Sequence, residues 1–213
     1  MPKTDPAREA LLTALEASGV SIPLWDGILI EETVRVAPGA TILPGCVLRG
    51  NTTIAAGSVI GPGSVLTDAV IGENCTVKNT YITESTLEEN VSIGPFSQVR
   101  PGCHIAAGCK IGDFVEVKNS HIGQKTAIAH LTYVGDTDCG SGVNFGCGVA
   151  IANFNGKEKF RTTIGDNAFL GCNTNLVAPV TIGAGAYTAA GATVTRDVPE
   201  DAMLIARAEQ TVK

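Results

Sequence analysis

In a chain built mostly of Val, Ile, Gly, Ala and Thr, the octapeptide Ala129-His130-Leu131-Thr132-Tyr133-Val134-Gly135-Asp136 sets a histidine, a tyrosine and an aspartate within seven positions. An imidazole titrates near neutral pH and can take the proton that an attacking amine must lose. Two basic residues, Arg100 and Lys118, lead up to the stretch, and small residues follow it. A base, two cations able to hold an anion, and a run of small side chains are the parts of an acyl-transfer site. That is the chemistry expected here.

The background of the octapeptide shows what must position it. From Ile30 an aliphatic residue recurs every six positions: Ile30, Val36, Ile42, Leu48, Ile54, Ile60 and Leu66, then, after shorter steps, Ile93, Val99, Ile105, Ile111 and Val117. The series continues through Ile122, Ile128 and Val134 to Cys139, Phe145 and Ile151, and from Ile164 to Val194 with Thr188 as a polar exception. A period of six is neither helical nor a simple alternation. It marks a parallel β-helix in which three hexapeptides make one triangular coil. At roughly 18 residues per coil and ~4.8 Å between coils, about nine coils give a prism on the order of 40–45 Å long. The residue two before each aliphatic shares the narrow interior and should be small; Cys46, Cys75, Cys103 and Cys109 stand there beside Thr52, Ser58, Ser64 and Ser97. The step from Ile151 to Ile164 is thirteen residues. Residues 152–163 are therefore expected as one protruding arm loop, reaching over a neighbouring subunit's site.

The repeat converts spacing into geometry. Arg100 follows Val99 and Lys118 follows Val117, so the two cations share one turn position in successive coils. Stacked cations repel unless an anion lies between them, which makes the pair an expected phosphate clamp. His130 lies two after Ile128, and the same position in later coils holds Cys147, Cys172 and Ala190. A column of small residues leaves a groove for a thin extended ligand such as a pantetheine arm, and its two thiols are expected to line that groove. Tyr133, Asn144 and Glu116 fall near His130 on the same coil map. His104 and His121 stack at another corner, away from His130, and no zinc site or other metal is expected.

Composition narrows the class. The 15 basic and 21 acidic residues give −6, against a nucleic-acid or anionic-membrane partner. No apolar run nears the ~20 residues of a membrane span, and no signal peptide is apparent, so no membrane insertion and a cytoplasmic location are expected. The odd count of seven cysteines without a CxxC pair points to free thiols. Residues 1–20 are expected as a helical segment capped at Asp5-Pro6, residues 21–207 as the β-helix, and 208–213 as a tail.

Three stretches carry a family resemblance: Ile93-Gly94-Pro95-Phe96 through Arg100-Pro101-Gly102, Gly112-Asp113-Phe114-Val115-Glu116-Val117-Lys118, and His130 through Asp136. Asn153, Leu176 through Thr181, Ala189-Ala190-Gly191 and Val194-Thr195-Arg196 extend it. Together they resemble the acetyltransferase domain of the bifunctional N-acetylglucosamine-1-phosphate uridylyltransferase/glucosamine-1-phosphate N-acetyltransferases. The resemblance to hexapeptide acyltransferases covers about residues 28–200 and implies a left-handed β-helix, a homotrimer with sites between subunits, and acetyl transfer from acetyl-CoA to the 2-amine of glucosamine 1-phosphate. It implies that His130 is the base, that Arg100, Lys118, Tyr133 and Asn144 hold the amino-sugar phosphate, with Glu116 grouped beside them, and that Cys147, Asn153, Phe154, Cys172, Ala190 and Arg207 contact acetyl-CoA.

There are departures. No glycine-rich phosphate loop of the uridylyltransferase half is present, so neither uridylyl transfer nor a catalytic magnesium is expected. Phe154 stands where the family often has tyrosine, small residues other than cysteine are usual at 147 and 172, and the chain stops soon after Arg207. Met1 and an ordinary N-terminal helix lean toward a free-standing enzyme. Three rivals remain: the same chemistry on another amino sugar or amine, a non-catalytic β-helix that binds a partner or a sugar nucleotide, and, least favoured, a zinc hydratase that a metal assay would settle.

Overall fold

A computed structural model describes residues 5–212. Met1 to Thr4 and Lys213, the ends of the expected N-terminal segment and tail, lie outside the described residues. The chain forms one short helix, Pro6–Ala17, followed by a left-handed parallel β-helix. Asp5 caps the helix by accepting from the Ala7 amide at 3.1 Å, and Pro6 fills the first turn where a missing N–H costs nothing. Leu12 buries its side chain, and Arg8 donates to the carbonyls of Ile28 (2.7 Å) and Trp25, which docks the helix on the first coil.

The coils generate three flat faces. Sheet I has ten strands, among them Gln98–Val99, Glu116–Lys118, Tyr133–Gly135 and Ala150–Ala152. Sheet II has nine, including His104–Ile105, His121–Ile122, Thr137–Cys139 and Thr162–Ile164. Sheet III has ten, including Lys110–Asp113, Ala127–His130, Asn144–Phe145 and Phe169–Leu170. The chain passes from I to II to III and back, so every neighbour in a sheet comes from the next coil and pairs in parallel.

The six-residue period is the core. Ile42, Leu48, Ile60 and Leu66 are fully buried, and their successors stack above them along the prism axis. The small residues two positions earlier are buried too, with Thr52, Ser58 and Ser64 giving their hydroxyls to backbone carbonyls. Burial pushes the thiols of Cys46, Cys75, Cys103 and Cys109 up in pKa, and that of Cys139 to about 12, so these five remain inert interior packing. The polar exception Thr188 is satisfied by Thr174, hydroxyl to hydroxyl at 3.1 Å.

Each turn of the prism needs a residue in the left-handed region at its corners. Gly and Asn supply most of them, as at Gly63, Asn79 and Asn173. At the corner between sheets III and I, however, three successive coils use Phe96, Phe114 and Leu131, with φ of 58°, 55° and 46°.

Candidate active site

The corner that ends sheet I collects the charge. Glu116 pairs with Gln98 and Val117 with Val99, so Arg100 and Lys118 stand level in adjacent coils, as their spacing predicts. The structure corrects one part of that expectation, because each cation already has a carboxylate. Arg100 donates from Nη1 to Glu116 at 2.8 Å, and Lys118 donates to both oxygens of Asp136 at 3.2 and 3.3 Å. Asp136 also accepts from the side-chain amides of Asn119 and Asn153, both at 2.5 Å. Burial opposes the Asp136 charge, yet the two amides and the Lys118 ammonium outweigh it and hold the carboxyl below its ordinary range.

The arm loop enters the same cluster. Asn155 accepts from the amides of Lys157 and Glu158 at 2.9 Å, making a turn through Gly156, and Phe154 pairs antiparallel with Lys159. The loop is thus a small hairpin with both feet on its own chain: Asn153 on Asp136, and Arg161 on Asp138 through two bonds of 2.8 and 2.5 Å. This hairpin carries the Lys159 amine against Lys118. Contact with the Lys118 ammonium, reinforced by Arg100, pulls the Lys159 pKa down. Three cations then face two carboxylates, Glu116 and Asp136, and the excess positive charge suits an anion bound from solvent.

Tyr133 lies between this cluster and His130. It opposes Glu116 in the neighbouring coil, while Gly135 opposes Lys118. The phenol folds back over Gly135 and meets the Asn153 amide at 3.4 Å. A Cβ on Gly135 would stand 2.7 Å from both Asn153 Nδ2 and the ring Cζ of Tyr133, so a larger residue there must displace a side chain of the site.

His130 ends the sheet III strand Ala127–His130 at the corner that leads into Tyr133. It pairs with Asp113 of the preceding coil, and its Nδ1 lies 2.7 Å from Asp113 Oδ1. Ile128 pairs with Phe145, and Phe145 with Leu170, which stacks Cys147 and then Cys172 above His130. The Asn173 amide donates to the Cys147 carbonyl and the Gly191 amide to the Cys172 carbonyl, both at 2.8 Å, so the column is in register up to Ala190. Arg207 closes it, donating to the Ala190 carbonyl at 2.8 Å. Cys147 is half-buried and Cys172 exposed.

One chain therefore brings together Arg100, Lys118, Glu116, Tyr133 and Asn153 at one corner, and His130, Cys147, Cys172, Ala190 and Arg207 at the other. It does not bring Asn144 to the cations: Asn144 lies on sheet III, opposite Phe169. Phe154 is exposed on the hairpin. His104 and His121 stand on sheet II with Glu88 (2.8 Å) and Asp138 (3.6 Å), and no three metal-ligating side chains converge among the described residues.

The family model described as bacterial transferase hexapeptide (six repeats) matches residues 33–68, 84–119 and 161–196, half of the chain. The chain belongs to the bacterial hexapeptide transferases. Among curated relatives it is 46% identical over 196 residues to the bifunctional protein GlmU of Clostridium kluyveri, covering 92% of this chain and 43% of that protein. It is 48% identical over 188 residues to the GlmU of Clostridium acetobutylicum (88% and 41%) and 47% over 206 residues to that of Acetivibrio thermocellus (97% and 45%). The chain thus spans less than half the length of these relatives.

The matched repeat covers the scaffold together with Arg100, Glu116, Lys118, Cys172 and Ala190, but not the rest of the site. His130, Tyr133, Asp136, Asn153 and Lys159 all fall between the second and third matched blocks. Lys159 and Asp136 escaped sequence reasoning as site residues. Asp136 carried a signal, being the acidic end of the octapeptide. Lys159 carried only the signal of its loop, whose Asn, Phe and Lys content marks residues 152–163 as an arm without saying which lysine reaches the site.

Proposed function

We propose that the protein transfers the acetyl group of acetyl-CoA to the 2-amine of glucosamine 1-phosphate. The observation that carries this reading is the placement, on one exposed side of one chain, of a histidine at the foot of a small-residue column and of a cation-rich corner one strand away. The two corners are joined by sheet I, with Tyr133 between them, on the order of 10 Å apart at ~3.3 Å per residue. A hexose phosphate laid over Tyr133 spans that interval, its phosphate toward Arg100, Lys118 and Lys159 and its 2-amine toward His130. The pantetheine arm runs up the column of Cys147, Cys172 and Ala190, with Arg207, Asn153 and Phe154 as further contacts for acetyl-CoA.

The amine nitrogen attacks the thioester carbonyl while His130 takes its proton; the C–S bond then breaks, and the thiolate leaves as coenzyme A after receiving a proton. Glu116 and Asp136 keep the cations at fixed distances before the substrate arrives, which lowers the ordering needed on binding. Acetyl-CoA is an intracellular metabolite, so the reaction belongs in the cytoplasm.

The assembly that suits this reading is a homotrimer with sites between subunits, where a neighbour supplies groups such as Asn144 that lie on another face. Its support is the corner ladder. Phe96 and Phe114 stack at 5.6 Å, and with Leu131 they are 57–60% exposed. Bulky residues in the left-handed region cost about 1–2 kcal/mol each. An exposed apolar ridge at that cost is what a packed subunit interface would use.

The test is thiol release from acetyl-CoA with glucosamine 1-phosphate. His130→Ala should lower turnover on the order of 10²–10⁴-fold. Turnover on a phosphate-free amine that survives Arg100→Ala with Lys118→Ala would assign a different acceptor, and absence of both turnover and acetyl-CoA binding would leave a binding scaffold.

A further inference from the structure

We propose that Asp113 is the positioning residue of the site, holding His130 as the tautomer protonated on Nδ1 so that Nε2 presents its lone pair to the acceptor amine. The inference rests on the reading of His130 as the base, and it adds a residue that neither the repeat nor the spacing of the octapeptide singles out.

The geometry is built by the backbone. Asp113 and His130 end paired strands of sheet III, and the Leu131 amide donates to the Asp113 carbonyl at 3.0 Å, which fixes the two corners against each other. Both side chains leave the prism on the same side, and Oδ1 meets Nδ1 at 2.7 Å. An ionised carboxylate only accepts hydrogen bonds, so the hydrogen lies on Nδ1. The His130 ring holds the Asp113 carboxyl below its ordinary range, with help from Asp113's own amide. Among the described residues the imidazole is the one charged or titratable group paired with Asp113, and Nδ1 is the one ring nitrogen of His130 engaged in a hydrogen bond.

The consequence for chemistry is direct. A free neutral imidazole in water prefers its hydrogen on Nε2, which would turn a donor toward the amine. The carboxylate reverses that preference, and it also steadies the imidazolium once Nε2 has taken the amine proton. The pair is open to solvent, with Asp113 40% and His130 58% exposed, so the effect should be smaller than that of a buried triad aspartate, whose loss costs ~10⁴-fold.

The experiment uses the full chain labelled with ¹⁵N-histidine, the His130 signals being identified by their loss in His130→Gln. At a pH where the ring is neutral, the wild type should show Nδ1 protonated and Nε2 bare, and Asp113→Ala should move His130 toward the Nε2-protonated form. In parallel, Asp113→Ala should lower kcat about 10–100-fold with KM for both substrates within about twofold. Asp113→Glu, which keeps the charge, should recover part of the rate and of the tautomer. An unchanged tautomer in Asp113→Ala, or a kcat within about twofold of wild type, would overturn the proposal. A tautomer that shifts as expected in a protein that acetylates no amine would uphold the positioning and defeat the acetyl-transfer reading, so the two fail separately.

Discussion

Lys118 and Asp136 meet one coil apart, with the ammonium within 3.3 Å of both carboxylate oxygens, and only 17% and 6% of their side chains reach solvent. A pair this sheltered is not a surface ion pair worth little. Asp136 also holds the amides of Asn119 and Asn153, so it fastens the hairpin to the barrel of coils as well as charging the site. Replacing it with alanine strands a sheltered ammonium and two amides. Asp136→Ala should cost about 2–3 kcal/mol, somewhat less than the 3–5 kcal/mol of breaking a fully buried pair, read from the midpoint of chemical denaturation.

The same carboxyl gives a pH signature. Its folded pKa is depressed below the unfolded value of about 3.9, so the stability it contributes is present in full above that value and is lost as pH falls through the folded one. Between about pH 5 and pH 2 the wild type should lose stability more steeply than Asp136→Asn. Parallel curves for the two proteins would show that the carboxylate is not what holds this corner.

Lys159 tests the anion site from the side of the loop. Its amine is exposed and pressed against Lys118; Asp136 offsets part of that repulsion, and a bound phosphate would relieve the rest. Lys159→Gln should raise KM for the amino-sugar phosphate about 5–20-fold, leave kcat within about twofold, and weaken the dependence of KM on salt. Equal losses in kcat and kcat/KM would instead give Lys159 a role confined to the transition state.

These residues mark how far the chain can be read without coordinates. The hexapeptide period gives the coils, the interior cysteines and the level of Arg100 with Lys118, because each depends on counting by six. Asp113 lies two after Ile111 as His130 lies two after Ile128, so the period already sets them level in adjacent coils, but their side-chain contact depends on side-chain direction. Lys159 reaches the site through a hairpin that follows its own turn chemistry at Asn155 and Gly156. The carboxylates beside Arg100 and Lys118 were visible as residue types, but the choice of partner is a matter of side-chain direction, which the period does not carry.

Gly135 should prove a site residue without any functional group. The obstacle to a Cβ there is the far end of Tyr133 and of Asn153 rather than backbone; Asn153 is tied to Asp136, so the phenol is the group that swings away. Gly135→Ala should therefore fold with a melting temperature within a few degrees of wild type, yet displace the phenol and raise KM for the sugar phosphate about tenfold. A crystal structure of the variant with Tyr133 unmoved, or an unchanged KM, would remove Tyr133 from the substrate side of the site.

The corner ladder separates the cost of the coil from the gain of assembly. Phe114 occupies a left-handed position with φ of 55°, stacked on Phe96 and 57% exposed. Within one chain, Phe114→Gly relieves backbone strain and removes little buried surface, so an isolated subunit should be no less stable for it. Across an interface the same change deletes an apolar contact in each copy, about 1.5–3 kcal/mol for a fully buried side chain. If the protein is the proposed homotrimer, sedimentation velocity over a dilution series should show Phe114→Gly dissociating at concentrations where the wild type stays assembled, with secondary structure retained. If the variant assembles as the wild type does, the ladder lies outside the contact, and the strain at Phe96, Phe114 and Leu131 must answer to something other than subunit packing.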